Sequence, residues 1–521
     1  MRRIISLLLL IVCASALAIV PAKPQRHVVV VVWDGMRPDF VSERNTPTLW
    51  KLAREGTTFR NHHPVYPSAT MVNGTAMVTG VYPGRSGIIA NHVYRPDIEP
   101  RYAVDVELLS TVKKGDELSN GKYITVPTIA ELLQGAGART AIAAAKTVGL
   151  LLDRHPNEPG ANNNVTLFAG KALPNSALAL ITEKLGSFPS AHLQKDSWTT
   201  RALIDFLWKD GVPAFSVLWL GEPDLTEHET APGSPAALAA IKSADANLAA
   251  VLVALNQRKV RGTTDVLVVS DHGFSTIKRS IELPKILKEA GLPATTEFNA
   301  EAKAGDIMLA GNGGSVFFYV AGHEATATRR LVEFLQQSDF AGVIFTKQPM
   351  EGTFSLEQAN IQNDRAPDVV MAFRWEPLKN QFGCPGMIEA DWQRAAGKGT
   401  HVTLSRFDMH NMLIAAGPDF KRGATSDLPS GNIDLAPTVL QILGIKPEQK
   451  MDGRVLSEAM TAGTTSQEHE TKTIEATKHF PSGTWRQSLQ VSRVGSTIYF
   501  DEGNGAFVAN KAEPNESQSD R

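Results

Sequence analysis

Continuous apolar runs alternate along this chain with stretches in which apolar residues recur every three or four positions. The valine-rich run His27–Trp33 stops at Asp34-Gly35, and Phe215–Leu220 stops at Gly221-Glu222-Pro223-Asp224. Residues 140–145 end at Lys146, and residues 265–269 end at Ser270-Asp271-His272-Gly273-Phe274. Short unbroken runs of this kind read as strands buried on both faces. Between them, residues 45–55, opened by Thr46-Pro47, and residues 237–255 have helical periodicity. Residues 71–79 suit a further helix with Thr70 at its N-cap. Strands alternating with helices predict a doubly wound α/β sheet.

The alternation breaks between about 283 and 399. There, residues 315–321, 325–337 and 342–346 read as a small βαβ unit in an inserted subdomain. Core-like sequence resumes at 412–416 and 434–443. From 462 onward the chain is polar and rich in Thr and Glu, then strand-like at 488–500, and residues 512–521 have the composition of disorder. The expected organisation is a leader at 1–22, a catalytic domain at 23–461 carrying the insert, and an extension at 462–521.

Composition narrows the partners. With 521 residues, 43% hydrophobic and 20% charged, the chain has ordinary globular content. A net charge of -2 gives no electrostatic reason to expect binding to nucleic acid or a membrane surface. Arg2 and Arg3 precede an apolar stretch at 4–20 that contains Ala14, Ala16 and Ala18, the layout of a secretory signal. About 17 apolar residues sit at the short end for a bilayer span, so the expectation is cleavage near 16–22, export to the periplasm or beyond, and no stable membrane anchor. Cys13 lies in that leader, which leaves Cys384 alone in the exported chain and excludes an internal disulfide.

Ligands of open α/β sheets bind beyond the carboxyl ends of the strands, and there this chain concentrates its chemistry. Asp34 follows one strand, Asp224 and His228 another, and Asp271 and His272 a third. His401 stands in Gly399-Thr400-His401, shortly before the run at 412–416. Each alone has a mundane use, since Asp commonly makes a turn and a lone His is commonly solvated. Their repeated placement at strand ends points to metal ligation. A hydroxyl at Thr70 would sit at a helix N-terminus, where N–H groups and the dipole favour an anion, and Asn73 lies one turn further on.

These pieces together resemble the alkaline phosphatase superfamily and, within it, the nucleotide pyrophosphatase/phosphodiesterase branch. The resemblance is carried by Tyr66-Pro67-Ser68-Ala69-Thr70, Val78-Thr79-Gly80-Val81-Tyr82-Pro83, Glu222-Pro223-Asp224, Ser270-Asp271-His272-Gly273 and Ala416-Gly417-Pro418-Asp419-Phe420. Asn432-Ile433-Asp434-Leu435-Ala436-Pro437-Thr438 and Met451-Asp452-Gly453-Arg454 extend it, so that it spans residues 27–460 in order. It implies a three-layer α/β/α sandwich with a mostly parallel central sheet and a small inserted α+β subdomain. It also implies two divalent ions, usually zinc. One would be held by Asp34, Asp271, His272 and the oxygen of Thr70, the other by Asp224, His228 and His401. Thr70 would then be the nucleophile, forming a phosphothreonine, with Asn73 and the Thr70 N–H stabilising a non-bridging oxygen. The implied activity is cleavage of phosphodiester or pyrophosphate bonds in a small phosphate ester or nucleotide.

The chain departs from the family pattern in places. Met71-Val72-Asn73-Gly74 stands where Phe-Pro-Asn-His is common, Ser86 where a His is frequent, and Val402-Thr403 after His401 where animal members have Gly-Tyr-Asp. None of these is an implied ligand, but nucleotide preference is left open. Monoesterase and phosphonate-cleaving relatives pair a Lys with a second cation. Here Lys146-Thr147-Val148 supplies only one, which favours a diester. The alternatives are a phosphomonoesterase or phosphonate hydrolase of the same superfamily, or a non-catalytic binding protein on this fold. His410 and the pair His62-His63 are expected in supporting positions.

Overall fold

Seven buried residues, His27–Trp33, run through the middle of a ten-stranded sheet. The computed structural model describes residues 25–154, 164–463 and 468–510. His27–Trp33 pairs in parallel with Phe215–Leu220 on one side and Thr264–Val269 on the other. Thr140–Ala144 continues the parallel run beyond Phe215–Leu220, and Val165–Phe168 follows it. Beyond Thr264–Val269 the direction reverses: Asn411–Ala416 lies antiparallel to it, and Thr57–His63 antiparallel to Asn411–Ala416.

Strand alternation divides the core. Val28, Val30 and Val32 pack on one face with Val78, Leu435 and Val439, whereas Val29, Val31 and Trp33 pack on the other with Leu49, Ile241 and Leu248. Helices Thr70–Thr79 and Leu435–Leu443 therefore cover one face, and Pro47–Glu55 and Pro235–Gln257 the other. A valine buried this completely contributes about 1.5–3 kcal/mol relative to an exposed one. The result is the mostly parallel α/β/α sandwich of the alkaline phosphatase type. Pro235–Gln257 is long and apolar enough to cross a membrane, but half of its apolar window is buried within the sandwich.

The insert builds a six-stranded sheet. Its expected βαβ elements are present as Ser315–Val320, Ala325–Gln336 and Ala341–Thr346. They do not form a simple unit, because Val369–Phe373 lies between the two strands and antiparallel to both. All five of its residues are buried, and it supplies hydrogen bonds to both neighbours. A four-stranded sheet of Trp375–Lys379, Pro385–Asp391, Ser275–Ile281 and Gly399–Thr400 joins the insert to the segment following His272.

The chain after 462 is more than an extension. His469–Phe480, Gly483–Val494 and Thr497–Ala509 form a three-stranded antiparallel sheet. Gln487 exchanges two hydrogen bonds with the Ile344 backbone, and fully buried Trp485 donates to Gly352 O. Leu489, Val491 and Phe500 join the main core cluster. The polar, Thr- and Glu-rich stretch forms the outer strand His469–Phe480, whose exposed residues need no apolar character. The leader at 1–22 and the tail at 512–521 lie outside the described residues.

Candidate metal centre

Asp34 leaves the central strand and is tied at once to its neighbours. Its N–H donates to Leu220 O, its carbonyl accepts from Asp224 N–H, and its Oδ2 accepts from Trp219 Nε1 at 2.7 Å. Gly35, at φ +74°, then turns the chain so that its N–H reaches Asp271 Oδ1 at 3.0 Å. A side chain at Gly35 would also press on Phe274 and Asp224. At the third strand end, Gly273 passes so close to Phe407 that a Cβ would lie 2.0 Å from its carbonyl oxygen.

These turns bring two sets of side chains together. Asp34, Asp271 and His272 offer ligand atoms within 4.8 Å of one another, and so do Asp224, His228 and His401. The His272 and His401 rings stack, which makes the two sets adjacent. Each imidazole is oriented by a backbone carbonyl: His272 Nδ1 bonds to Gly273 O, His228 Nδ1 to Gly399 O and His401 Nδ1 to Ser68 O, at 2.9, 3.0 and 2.7 Å. A carbonyl only accepts, so each Nδ1 carries a proton and, in the neutral ring, each Nε2 presents a lone pair. Those lone pairs face carboxylates: His272 Nε2 is 3.2 Å from Asp271 Oδ2, and His228 Nε2 is 3.2 Å from Asp224 Oδ1.

Asp34 Oδ1, Asp224 Oδ1 and Asp271 Oδ2 are buried without a hydrogen-bond donor among the described residues. Lone pairs and carboxylate oxygens converging in a buried space repel one another unless a cation sits among them. The donor chemistry therefore fits divalent metal, with second contacts that fix each imidazole as such sites require. Burial, followed by the neighbouring His272, holds His401 well below the ordinary histidine range, and burial also lowers His228. Burial and the Asp271 charge push the Asp34 carboxyl well up.

Lys146 supplies the cationic charge that the chain itself brings. Its Nζ lies 2.8 Å from Asp224 Oδ2 and 3.0 Å from Asp34 Oδ2, one carboxylate from each set. Burial alone would lower its pKa, but Asp224, Asp34 and Asp271 together raise it. Burial opposes ionisation of Asp224 as well, yet Lys146 and His228 outweigh it and bring that carboxyl well down.

Thr70 is the first residue of its helix and not the cap. Ala69 holds the extended cap conformation, at φ −105° and ψ 146°. The Thr70 hydroxyl is therefore free of capping and lies 3.2 Å from His272 Nε2. Asn73 departs from expectation. Its Nδ2 donates to Val65 O, Pro67 O and Ala69 O, and its Oδ1 accepts from Val65 N–H and Asn432 Nδ2. One turn into the helix, it faces back onto the entering loop and holds it in place, with no hydrogen left for a substrate oxygen. Asn91 is the amide at the helix N-terminus, its Oδ1 accepting from Met71 N–H at 3.0 Å. Sequence reading passed over it, although it follows the buried run Ile88-Ile89-Ala90 just as Asp34 follows its valines.

The rival histidines stand outside both sets. His62 bonds to Ser430 Oγ and Asn432 Oδ1, and Asn432 Nδ2 donates to Asp271 O, so His62 is two contacts removed from the centre. His63 bonds to Met409 O and stacks on His410, whose Nε2 bonds to Arg60 O.

Residues 28–377 match the family model for type I phosphodiesterase / nucleotide pyrophosphatase. The chain belongs to that family. Relatives of this type I phosphodiesterase / nucleotide pyrophosphatase member include human (Homo sapiens) ectonucleotide pyrophosphatase/phosphodiesterase family member 1. That protein is 27% identical over 265 residues, which are 49% of this chain and 24% of that protein. A venom phosphodiesterase of Naja atra is 24% identical over 257 residues, 49% of this chain and 27% of the other. The match thus spans about a quarter of the length of these relatives. Among solved structures, an inactive variant of murine ectonucleotide pyrophosphatase / phosphodiesterase 5 in complex with AMP superposes with a TM-score of 0.60 at 18% identity. The likeness covers 84% of this chain and 100% of that one, and it shows a shared fold. The human counterpart also gives 0.60, at 17% identity.

Proposed function

We propose that this family member is an exported hydrolase of phosphodiester or pyrophosphate bonds in small phosphate esters or nucleotides, working with two divalent cations and a phosphothreonine at Thr70. The observation that carries the reading is Thr70 Oγ1 at 3.2 Å from His272 Nε2, where the two carboxylate–imidazole sets adjoin. Asp34, Asp271, His272 and the Thr70 oxygen would hold one ion, and Asp224, His228 and His401 the other. Oxygen and nitrogen donors of this kind suit zinc and also accept manganese or iron. Bound there, the cations supply positive charge that lowers the pKa of a hydroxyl and neutralises a leaving oxygen.

Thr70 gives its hydroxyl proton to water as Oγ bonds to phosphorus and the bond to the leaving alcohol or phosphate breaks. The leaving oxygen takes a proton back from water, so the step is proton-neutral. In the second step water adds to phosphorus, the Oγ–P bond breaks, and the Thr70 hydroxyl is restored. The Thr70 N–H at the helix N-terminus and the Asn91 amide face a non-bridging oxygen, the part first given to Asn73. Lys146 is matched by Asp34 and Asp224, and among the described residues no second cation of the kind a monoesterase pairs with it joins them, which supports a diester. The relatives' names describe ecto- and venom enzymes, which supports export together with the apolar leader.

Thr70→Ala tests the reading. It is expected to abolish hydrolysis of a nitrophenyl nucleotide diester while leaving the fold and metal content intact. Residual turnover above about 1% of the parent rate would overturn the nucleophile, because loss of a covalent nucleophile costs many orders of magnitude. Faster cleavage of nitrophenyl phosphate than of the diester would overturn the substrate class.

A further inference from the structure

The strand Ser315–Val320 starts beside the metal centre, where Ser315 Oγ donates to Val402 O. Four residues on, about 13 Å along the strand, Tyr319 borders a cavity of about 400 Å³. The cavity lies between the inserted sheet and the loop that follows His92–Val93. Its size falls within the range of small-molecule sites, and nothing in the proposed reaction uses it.

Its walls combine aromatic rings with two guanidiniums, Arg95 and Arg365, and three carboxylates, Asp97, Asp364 and Asp368. The Tyr94 ring meets Phe298 edge-on at 5.8 Å and Tyr319 at 5.7 Å. Arg95 is only 6% exposed, and its Nε and Nη2 grip Asp97 at 2.8 and 2.7 Å. Its Nη1 has no hydrogen-bond partner among the described residues. Arg365 stands exposed at the rim, and its guanidinium has neither hydrogen bond nor ion pair among the described residues. Arg95 is therefore the guanidinium paired with Asp97, while Arg365 and its neighbour Asp364 both stand exposed at the rim. Asp368 is matched separately, accepting from Val320 N–H at 2.7 Å and from His323 at 2.6 Å.

We propose that this cavity is a second ligand site for an aromatic ring bearing an anionic group, of the nucleoside monophosphate class. The ring lies against Tyr94, Phe298 and Tyr319, and the phosphate meets Arg95 Nη1 and Arg365, a planar donor group suited to phosphate oxygens. The ligand touches the inserted sheet and the loop after His92–Val93 together, so its binding ties the two. The proposal does not rest on the reaction above, although that reaction would release a ligand of this class.

AMP titrated calorimetrically into the full chain tests it. Two AMP molecules per chain are expected. Asp224→Asn should remove the one at the metal centre and leave the other. Arg365→Glu and Arg95→Gln should each weaken the other by about ten-fold or more and leave diester turnover within about two-fold of the parent. Arg365 is exposed and unpaired, so its variant keeps the test open if Arg95→Gln fails to fold. Inorganic phosphate, which lacks a ring, should not displace the second AMP. A single AMP that Asp224→Asn abolishes, a second AMP indifferent to Arg365→Glu, or one displaced equally well by inorganic phosphate would each overturn the site. Diester turnover by the parent protein, measured alongside, judges the reaction separately.

Discussion

The rings of His272 and His401 stack with centroids 3.6 Å apart and planes 11° from parallel. Each belongs to a different carboxylate–imidazole set, so the sets share a wall one aromatic thickness deep. A neutral His401 ring tolerates that contact, whereas protonating it would press a cation against its neighbour in a buried space. Burial, reinforced by His272, accordingly keeps the His401 imidazole neutral.

Metal content should follow this division. Elemental analysis of the parent is expected to give two divalent ions per chain, and His401→Ala should give one. His410→Ala should retain both, since His410 bonds to Arg60 O away from the sets. A chelator should abolish turnover, and adding back zinc should restore it. Loss of an ion in His410→Ala with retention of both in His401→Ala would reverse the ligand assignment.

The two asparagines near Thr70 should separate stability from catalysis. Asn73→Ala leaves the buried Val65 N–H without its acceptor and frees the loop that delivers Thr70, which should cost roughly 2–4 kcal/mol in denaturant unfolding. Asn91→Ala removes one hydrogen bond to Met71 N–H but also the amide proposed to face the reacting phosphate. Its stability should change by no more than about 1 kcal/mol, and its kcat should fall about 10²–10³-fold. The opposite pattern would return the oxyanion role to Asn73.

Legibility followed burial. His27–Trp33 and Phe215–Leu220 were readable to the residue because strands buried on both faces carry unbroken apolar runs. The polar residues ending those runs stood out for the same reason, and the fold gathers Asp34, Asp224, Asp271 and His272 at one sheet edge. What escaped depends on direction and contact. Asn73 and Asn91 differ in which way an amide faces, and only tertiary structure sets that. Val369–Phe373 slips between two strands that are closer to each other in sequence, and periodicity carries no strand order. His469–Phe480 lacks an apolar run because an outer strand takes its hydrogen bonds from a neighbour while water covers its exposed side.

Acid should weaken the fold through His62. This ring is fully buried, and desolvation lowers its pKa from 6.5 to about 3, with the Asn432 contact pulling the other way. Above pH 6.5 it is neutral in both folded and unfolded chains and contributes no pH dependence. As pH falls below 6.5 the unfolded chain takes up the proton and the folded chain does not, so stability falls by about 1.4 kcal/mol per pH unit until the folded pKa is reached. His62→Gln removes that titration. The parent's stability relative to this variant, from urea unfolding at pH 7, 6 and 5, should therefore decline by that slope below 6.5. A constant difference would refute the linkage.

Lys146 offers the sharpest test of how the centre is balanced. Its ammonium compensates Asp34 and Asp224 at once, with only 15% of its side chain exposed. Lys146→Met keeps the apolar stem and removes the charge. Without metal, the variant leaves buried carboxylates facing one another, and a broken buried pair costs about 3–5 kcal/mol. With metal bound, the cations supply the missing charge, and most of that loss should disappear. Unfolding of parent and variant, each with chelator and with zinc, is expected to show a large gap in chelator and a small one in zinc. A gap equal in both conditions would mean that Lys146 and the ions do not balance the same carboxylates. If Lys146→Met instead lowers nitrophenyl phosphate hydrolysis far more than diester hydrolysis, Lys146 contacts the extra phosphoryl charge, and the monoester reading gains ground.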